Sequence, residues 1–117
     1  MKVYNLTRNT PIADRITVVK TFLSRMTGLL GRDGLGSDEG LLITGCNSIH
    51  MVFMRFPIDV IFVDSKEIVT GLVVGIKPFQ FSRIFWNASR AIELPTGTIL
   101  RSKTQLGDQL SFQKFLG

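Results

Sequence analysis

The sequence predicts a mainly β, single-domain protein, and three observations carry that reading. Beyond Leu41, short apolar runs rich in β-branched and aromatic residues recur between turn signals. One stretch alone, about 21–30, has helical periodicity. The length of 117 residues suits one domain over 1–117, in which folding buries roughly 65% of the unfolded surface. Seven or eight short strands with one N-terminal helix point to a closed or two-sheet architecture, a barrel-like or jelly-roll-like sandwich.

The elements follow in order. In 21–30, Phe22, Leu23, Met26, Leu29 and Leu30 share one helical face, with Thr21 as N-cap and Gly31 just past the end. Gly28 inside that helix weakens it by about 1 kcal/mol relative to alanine. Arg32 to Gly40 is a polar, glycine-rich loop, and Leu41 to Thr44 a short strand. His50 to Arg55 and Ile58 to Val63 read as strands separated by Phe56-Pro57, since proline cannot donate to a ladder. Asp64-Ser65-Lys66-Glu67 is a tight turn that makes Ile68 to Ile76 the hairpin partner of Ile58 to Val63. Lys77 to Trp86 reads as a loop whose aromatics cover the core or a cleft. Ala88 to Glu93 is a strand ended by the Pro95–Thr98 turn. Ile99 to Lys103 and Gln109 to Phe115 read as strands, with Gly107-Asp108 turning between them.

Hydrophobic residues at 44% and charged residues at 20% belong to a globular chain. The single cysteine, Cys46, excludes an internal disulfide framework and a multi-cysteine zinc site. Met1 to Arg8 lacks the apolar run of a signal peptide. Val60 to Val63 and Gly71 to Ile76 are far shorter than the ~20 residues a spanning helix needs. The default expectation is a cytoplasmic chain without a transmembrane segment. A net charge of +5 and a pI near 9.9 would attract anionic partners. The cations are scattered, with neither a basic run interleaved with aromatics nor a basic helical stripe, so a solvated basic surface is expected and nucleic acid is not.

The residues best equipped for chemistry run from Cys46 to Asp59. On a 50–55 strand, His50, Val52 and Met54 share one face and Met51, Phe53 and Arg55 the other. A thiolate nucleophile would need Cys46 beside His50, with Asp59 orienting the ring. The plainer reading makes Cys46 a small buried hydrophobe and His50 a hydrogen-bonded structural histidine. Cys46, His50, Met51 and Met54 are chemically suited to copper(I), but the methionines point to opposite faces, so no metal and no cofactor is assigned. Asp59, set among Ile58, Val60, Ile61 and Phe62, must be paired or hydrogen-bonded. Arg55 and backbone amides near Pro57 are its candidate partners, and a structural lock is favoured over ligand contact. Glu93 poses the same question, and the two carboxylates form a pair only if their strands are neighbours. No GxGxxG, P-loop, HExxH or GxSxG pattern is present.

Four motifs in order carry a family resemblance. They are Arg25-Met26-Thr27-Gly28-Leu29-Leu30-Gly31-Arg32, the run Ser48 to Asp64 centred on Met54-Arg55-Phe56-Pro57-Ile58-Asp59, Ala91-Ile92-Glu93-Leu94-Pro95-Thr96-Gly97, and Gly107-Asp108. Over about Thr21 to Phe112 the chain resembles the family called domain of unknown function 192. The resemblance implies a small, mainly β domain with one helix and implies no reaction. The family motif falls on Arg25, Gly28, Leu29, Met54, Pro57, Asp59, Glu93, Pro95, Gly97, Gly107 and Asp108. Cys46 and His50 belong to a version found in some relatives, which makes a Cys–His mechanism a poor guess for the family at large. Many relatives carry an export signal or lipoprotein anchor.

The functional expectation is a non-catalytic module that binds a small polar ligand, such as a saccharide, or a protein partner. Phe79, Phe81, Phe85 and Trp86 near polar groups motivate it. His50, Met54, Arg55, Asp59, Trp86 and Glu93 are its candidate binding residues. The alternatives are a hydrolase-like enzyme using Cys46, His50 and Asp59, and a basic nucleic-acid-binding domain.

Overall fold

The computed structural model describes residues 1–19, 34–48 and 55–114. The helix expected over 21–30 and the expected strand residues 50–54, with His50, Met51 and Met54, lie outside the described residues. In chain order the strands are β1 (Lys2–Asn5), β2 (Thr10–Ala13), β3 (Arg15–Val19), β4 (Glu39–Thr44), β5 (Ile58–Val63), β6 (Val69–Ile76), β7 (Arg90–Pro95) and β8 (Leu110–Gln113). One helical turn, α1 (Thr98–Ser102), lies between β7 and β8.

These strands form two sheets, ordered β2-β1-β8 and β3-β4-β7-β5-β6, so the described chain is a two-sheet structure and not a closed barrel. All pairings are antiparallel except β3 with β4, a parallel pair that no tight hairpin can join. β5 is buried at every position and lies between β6 and β7. That explains its run of apolar residues, interrupted only by Asp59, since both faces of a covered strand are mostly apolar.

Side-chain alternation divides the core in two. Ile61, Ile92 and Leu94 pack with Val3, Ile12 and Ile99 on the face that meets the small sheet and α1. Ile58, Val60 and Phe62 pack on the other face with Leu41, Ile43 and Phe85. The β5–β6 hairpin turns where expected: the Asp64 carboxylate accepts from the amides of Lys66 (2.8 Å) and Ile68 (3.1 Å), the local bond that makes aspartate a turn former.

Three expectations need correction. Ile99 to Lys103 is not a strand but most of α1, whose turn is entered through Gly97 at φ 91 and left through Lys103 at φ 58. The strand expected over Ala88 to Glu93 runs instead over Arg90–Pro95. The first nineteen residues, given no element by the sequence reading, hold three strands. These N-terminal strands are tied in by a buried polar network. Asn5 donates to Thr104 (3.1 Å) and to Asp108 (3.0 Å), Ser102 and Thr104 share a hydrogen bond, and Arg8 donates to Asp108 from outside (3.1 Å). Burial alone would push the Asp108 carboxyl up, but the hydrogen bonds from Arg8, Asn5 and the Gln105 amide outweigh it and hold it below its ordinary value.

Candidate functional site

Asp59 is fully buried, and its partners are neither Arg55 nor the amides near Pro57. One carboxylate oxygen accepts from the Gly75 amide (2.9 Å) and the other from the Ile99 amide (3.0 Å). Gly75 sits at φ 62 where the β5–β6 register shifts between Ile58 and Val60, so Asp59 braces a bulge. Ile99 belongs to the first turn of α1, where a carboxylate satisfies an amide that has no helical acceptor. The geometry is that of a structural lock.

Glu93 is also fully buried and lies on a neighbouring strand, yet the two carboxylates do not meet. In the register Val60 faces Glu93 while Asp59 faces Leu94. Glu93 therefore shares the face of Val60 and Leu41, and Asp59 projects from the other. The same division separates Asp59 from Cys46. The half-buried Cys46 packs on the Phe62 face, and its S–H donates to the Ser48 carbonyl (3.1 Å). The sheet stands between the Cys46 thiol and the Asp59 carboxylate, and His50 lies outside the described residues. Arg55 is exposed at the bend leading into β5.

Shallow depressions of about 270, 380 and 230 Å³ run along the α1 side, past Pro11, Ser37, Thr96 and Pro57. Arg101, which borders two of them, donates to the carbonyls of Pro11 (3.0 Å) and Ile12 (2.7 Å) and so braces α1 against β2. Among the described residues His, Cys, Asp and Glu form no cluster able to hold a metal.

Among the described residues, the loop 77–88 between β6 and β7 exposes several large apolar side chains. Phe85 anchors it, as expected of a residue covering the core: its ring stacks on Phe62 with centroids 4.4 Å apart, and its amide donates to the Asn47 carbonyl (2.8 Å). Gly71, opposite Phe62 in the β5–β6 register, makes room, because a Cβ there would run into the Phe85 ring. Arg83 lies over the Phe85 ring at 4.6 Å. The other large aromatics of the loop are largely exposed. Phe79, Phe81 and Trp86 are 73%, 71% and 80% exposed, with Ile84 and Val74 exposed as well. Phe79 also adopts a left-handed backbone at φ 68, in a turn closed by the Gln80 amide on the Lys77 carbonyl (3.1 Å). That conformation costs a non-glycine residue about 1–2 kcal/mol. Lys77 and Arg83 lie in the same loop as these aromatics.

Two packed, mostly antiparallel sheets and a loop that exposes several aromatic side chains define a small, mainly β domain. The chain belongs to the DUF192 family, described as an uncharacterized ACR, whose model matches residues 4–112. It is 31% identical over 119 residues to the UPF0127 protein PF1050 of Pyrococcus furiosus, covering 96% of this chain and 98% of that one. A UPF0127 protein of Thermococcus sibiricus is 31% identical over 113 residues, covering 93% and 73%. The fold is similar to the crystal structure of a protein of unknown function from Novosphingobium aromaticivorans, with a TM-score of 0.78 at 20% identity over 95% of this chain and 82% of that one.

Proposed function

We propose that the protein is a non-catalytic binding module that docks through the loop 77–88 onto an extended partner surface. The observation that carries this is the exposure of Phe79, Phe81 and Trp86 on a loop that Phe85 fixes to the core. Exposed apolar clusters of this kind mark interaction sites, and a strained backbone concentrates at sites that use it. Rings 71–80% exposed do not wall a pocket, so a broad surface suits them better than a small polar ligand. A saccharide is further disfavoured because nearby polar groups bond within the loop: Gln80 accepts from the Lys77 amide (2.8 Å) and Ser82 donates to the Arg83 carbonyl (2.9 Å). Separation of Cys46 from Asp59 by the sheet weighs against the hydrolase reading.

Cosedimentation with cellulose, heparin-agarose and phospholipid vesicles tests the proposal. At least one surface retains the wild type and releases the Phe79→Ser/Phe81→Ser variant, whose circular dichroism and melting stay unchanged. Equal retention of both chains, or retention of neither on any surface, would contradict it.

A further inference from the structure

We infer that the extended surface is an anionic lipid bilayer, with Phe79, Phe81 and Trp86 entering the headgroup layer and Lys77 and Arg83 holding the phosphates. This rests on the reading of loop 77–88 as the contact surface and adds the identity of the partner. Large aromatics sit at the bilayer interface because each ring has an apolar body and, in tryptophan, a polar edge. Reversible membrane attachment takes two signals, apolar insertion and basic attraction, and this loop offers both.

Charge supports the choice of an anionic surface. No Asp or Glu occurs between Glu67 and Glu93, a stretch that holds Lys77, Arg83 and Arg90. Arg90 is engaged with Glu67 (3.4 Å) and lies over Phe112, so Lys77 and Arg83 are the cations this loop presents. Arg83 is positioned over the Phe85 ring, at the base of the loop rather than at the end of a wandering side chain.

Exposure supports a fluid partner: aromatic and aliphatic side chains of different shapes are accepted by the apolar layer of a bilayer without a preformed socket. A second copy of the chain is disfavoured because it would bring Lys77 and Arg83 against the same cations. Single-stranded nucleic acid would use the rings for stacking and the cations for phosphate, but the exposed aliphatics Val74 and Ile84 gain nothing from bases and do gain from acyl chains. No described helix is long and apolar enough to cross a membrane, so the mode inferred is attachment at the surface.

Trp86 is the one tryptophan of the chain, and its emission reads the contact directly. The full chain is titrated with vesicles of phosphatidylcholine mixed with phosphatidylserine, with phosphatidylcholine alone, and with oligo(dT) and dextran. A blue shift on the anionic vesicles only, reversed by salt, is the expected result. Lys77→Gln/Arg83→Gln should weaken partitioning roughly 30-fold, from about one screened charge contact per cation, and Phe79→Ser/Phe81→Ser should abolish it. Equal shifts on both vesicle types without salt dependence would overturn the anionic assignment. A shift with oligo(dT) or dextran and none with vesicles would overturn the lipid inference and leave the docking loop standing. Vesicles cosedimenting with wild type and Phe79→Ser/Phe81→Ser alike, with Trp86 unmoved, would overturn both.

Discussion

Asp59 carries a carboxyl group into the interior and uses both oxygens on backbone amides, one in a bulge and one in α1. Replacing it with alanine leaves two buried N–H groups without acceptors and should cost about 2–4 kcal/mol. Asp59→Asn keeps the shape but turns an NH2 toward one of those amides, so it should fall between alanine and wild type. Urea unfolding measures both. That Asp59 needed partners was legible in its apolar neighbours. Which partners was not, because the amides belong to residues 16 and 40 positions away, and backbone amides carry no residue signature. Phe79 was legible as one aromatic among several, whereas its left-handed backbone and its exposure depend on a turn fixed by neighbours.

Among the elements, the β5–β6 hairpin was readable because its turn is closed by a local aspartate between two apolar runs. The helix α1 was not. Five residues make too little of a period to detect, Thr98 and Ile99 favour strands, and the capping carboxylate comes from β5. β1 and β2 escaped for the same reason of length, at four residues each, and because β1 buries the polar Asn5. The loop 77–88 was recognised as a loop, but which of its aromatics turns inward is decided by Gly71. Gly71→Ala should lift Phe85 from Phe62 and cost about 1–3 kcal/mol, seen in urea unfolding and as a loss of near-ultraviolet circular dichroism. Gly107→Ala, at φ 88, is the contrasting case, in which an added Cβ meets no described atom within 4 Å and the cost comes from the left-handed backbone alone, about 1–2 kcal/mol.

Across the whole molecule, the class of fold was legible from the repeated short apolar runs, while the assembly of two sheets was not. Strand order arises from pairings distant in sequence, and the opposite facing of Asp59 and Glu93 follows from a one-residue register that composition cannot encode. Closure between the chain's beginning and end rests on Asn5, Arg8 and Asp108. Because the Asp108 carboxyl is held below its ordinary value in the folded chain, the unfolded chain binds its proton first as acid is added. Its contribution is complete above the ordinary aspartate range and is lost as pH falls through the lowered folded value. Asp108→Asn should therefore be less stable at neutral pH and show a flatter acid limb, while Asp38→Asn, whose pair with Arg15 is exposed, should follow wild type. The contact loop is tested most directly by Phe79→Gly, assayed in parallel for unfolding free energy and for cosedimentation with phosphatidylserine-containing vesicles. Relief of the left-handed strain should leave stability equal or raise it by about 1 kcal/mol, while vesicle retention falls. A variant that loses stability, or that binds vesicles as well as wild type, would contradict the role assigned to this loop.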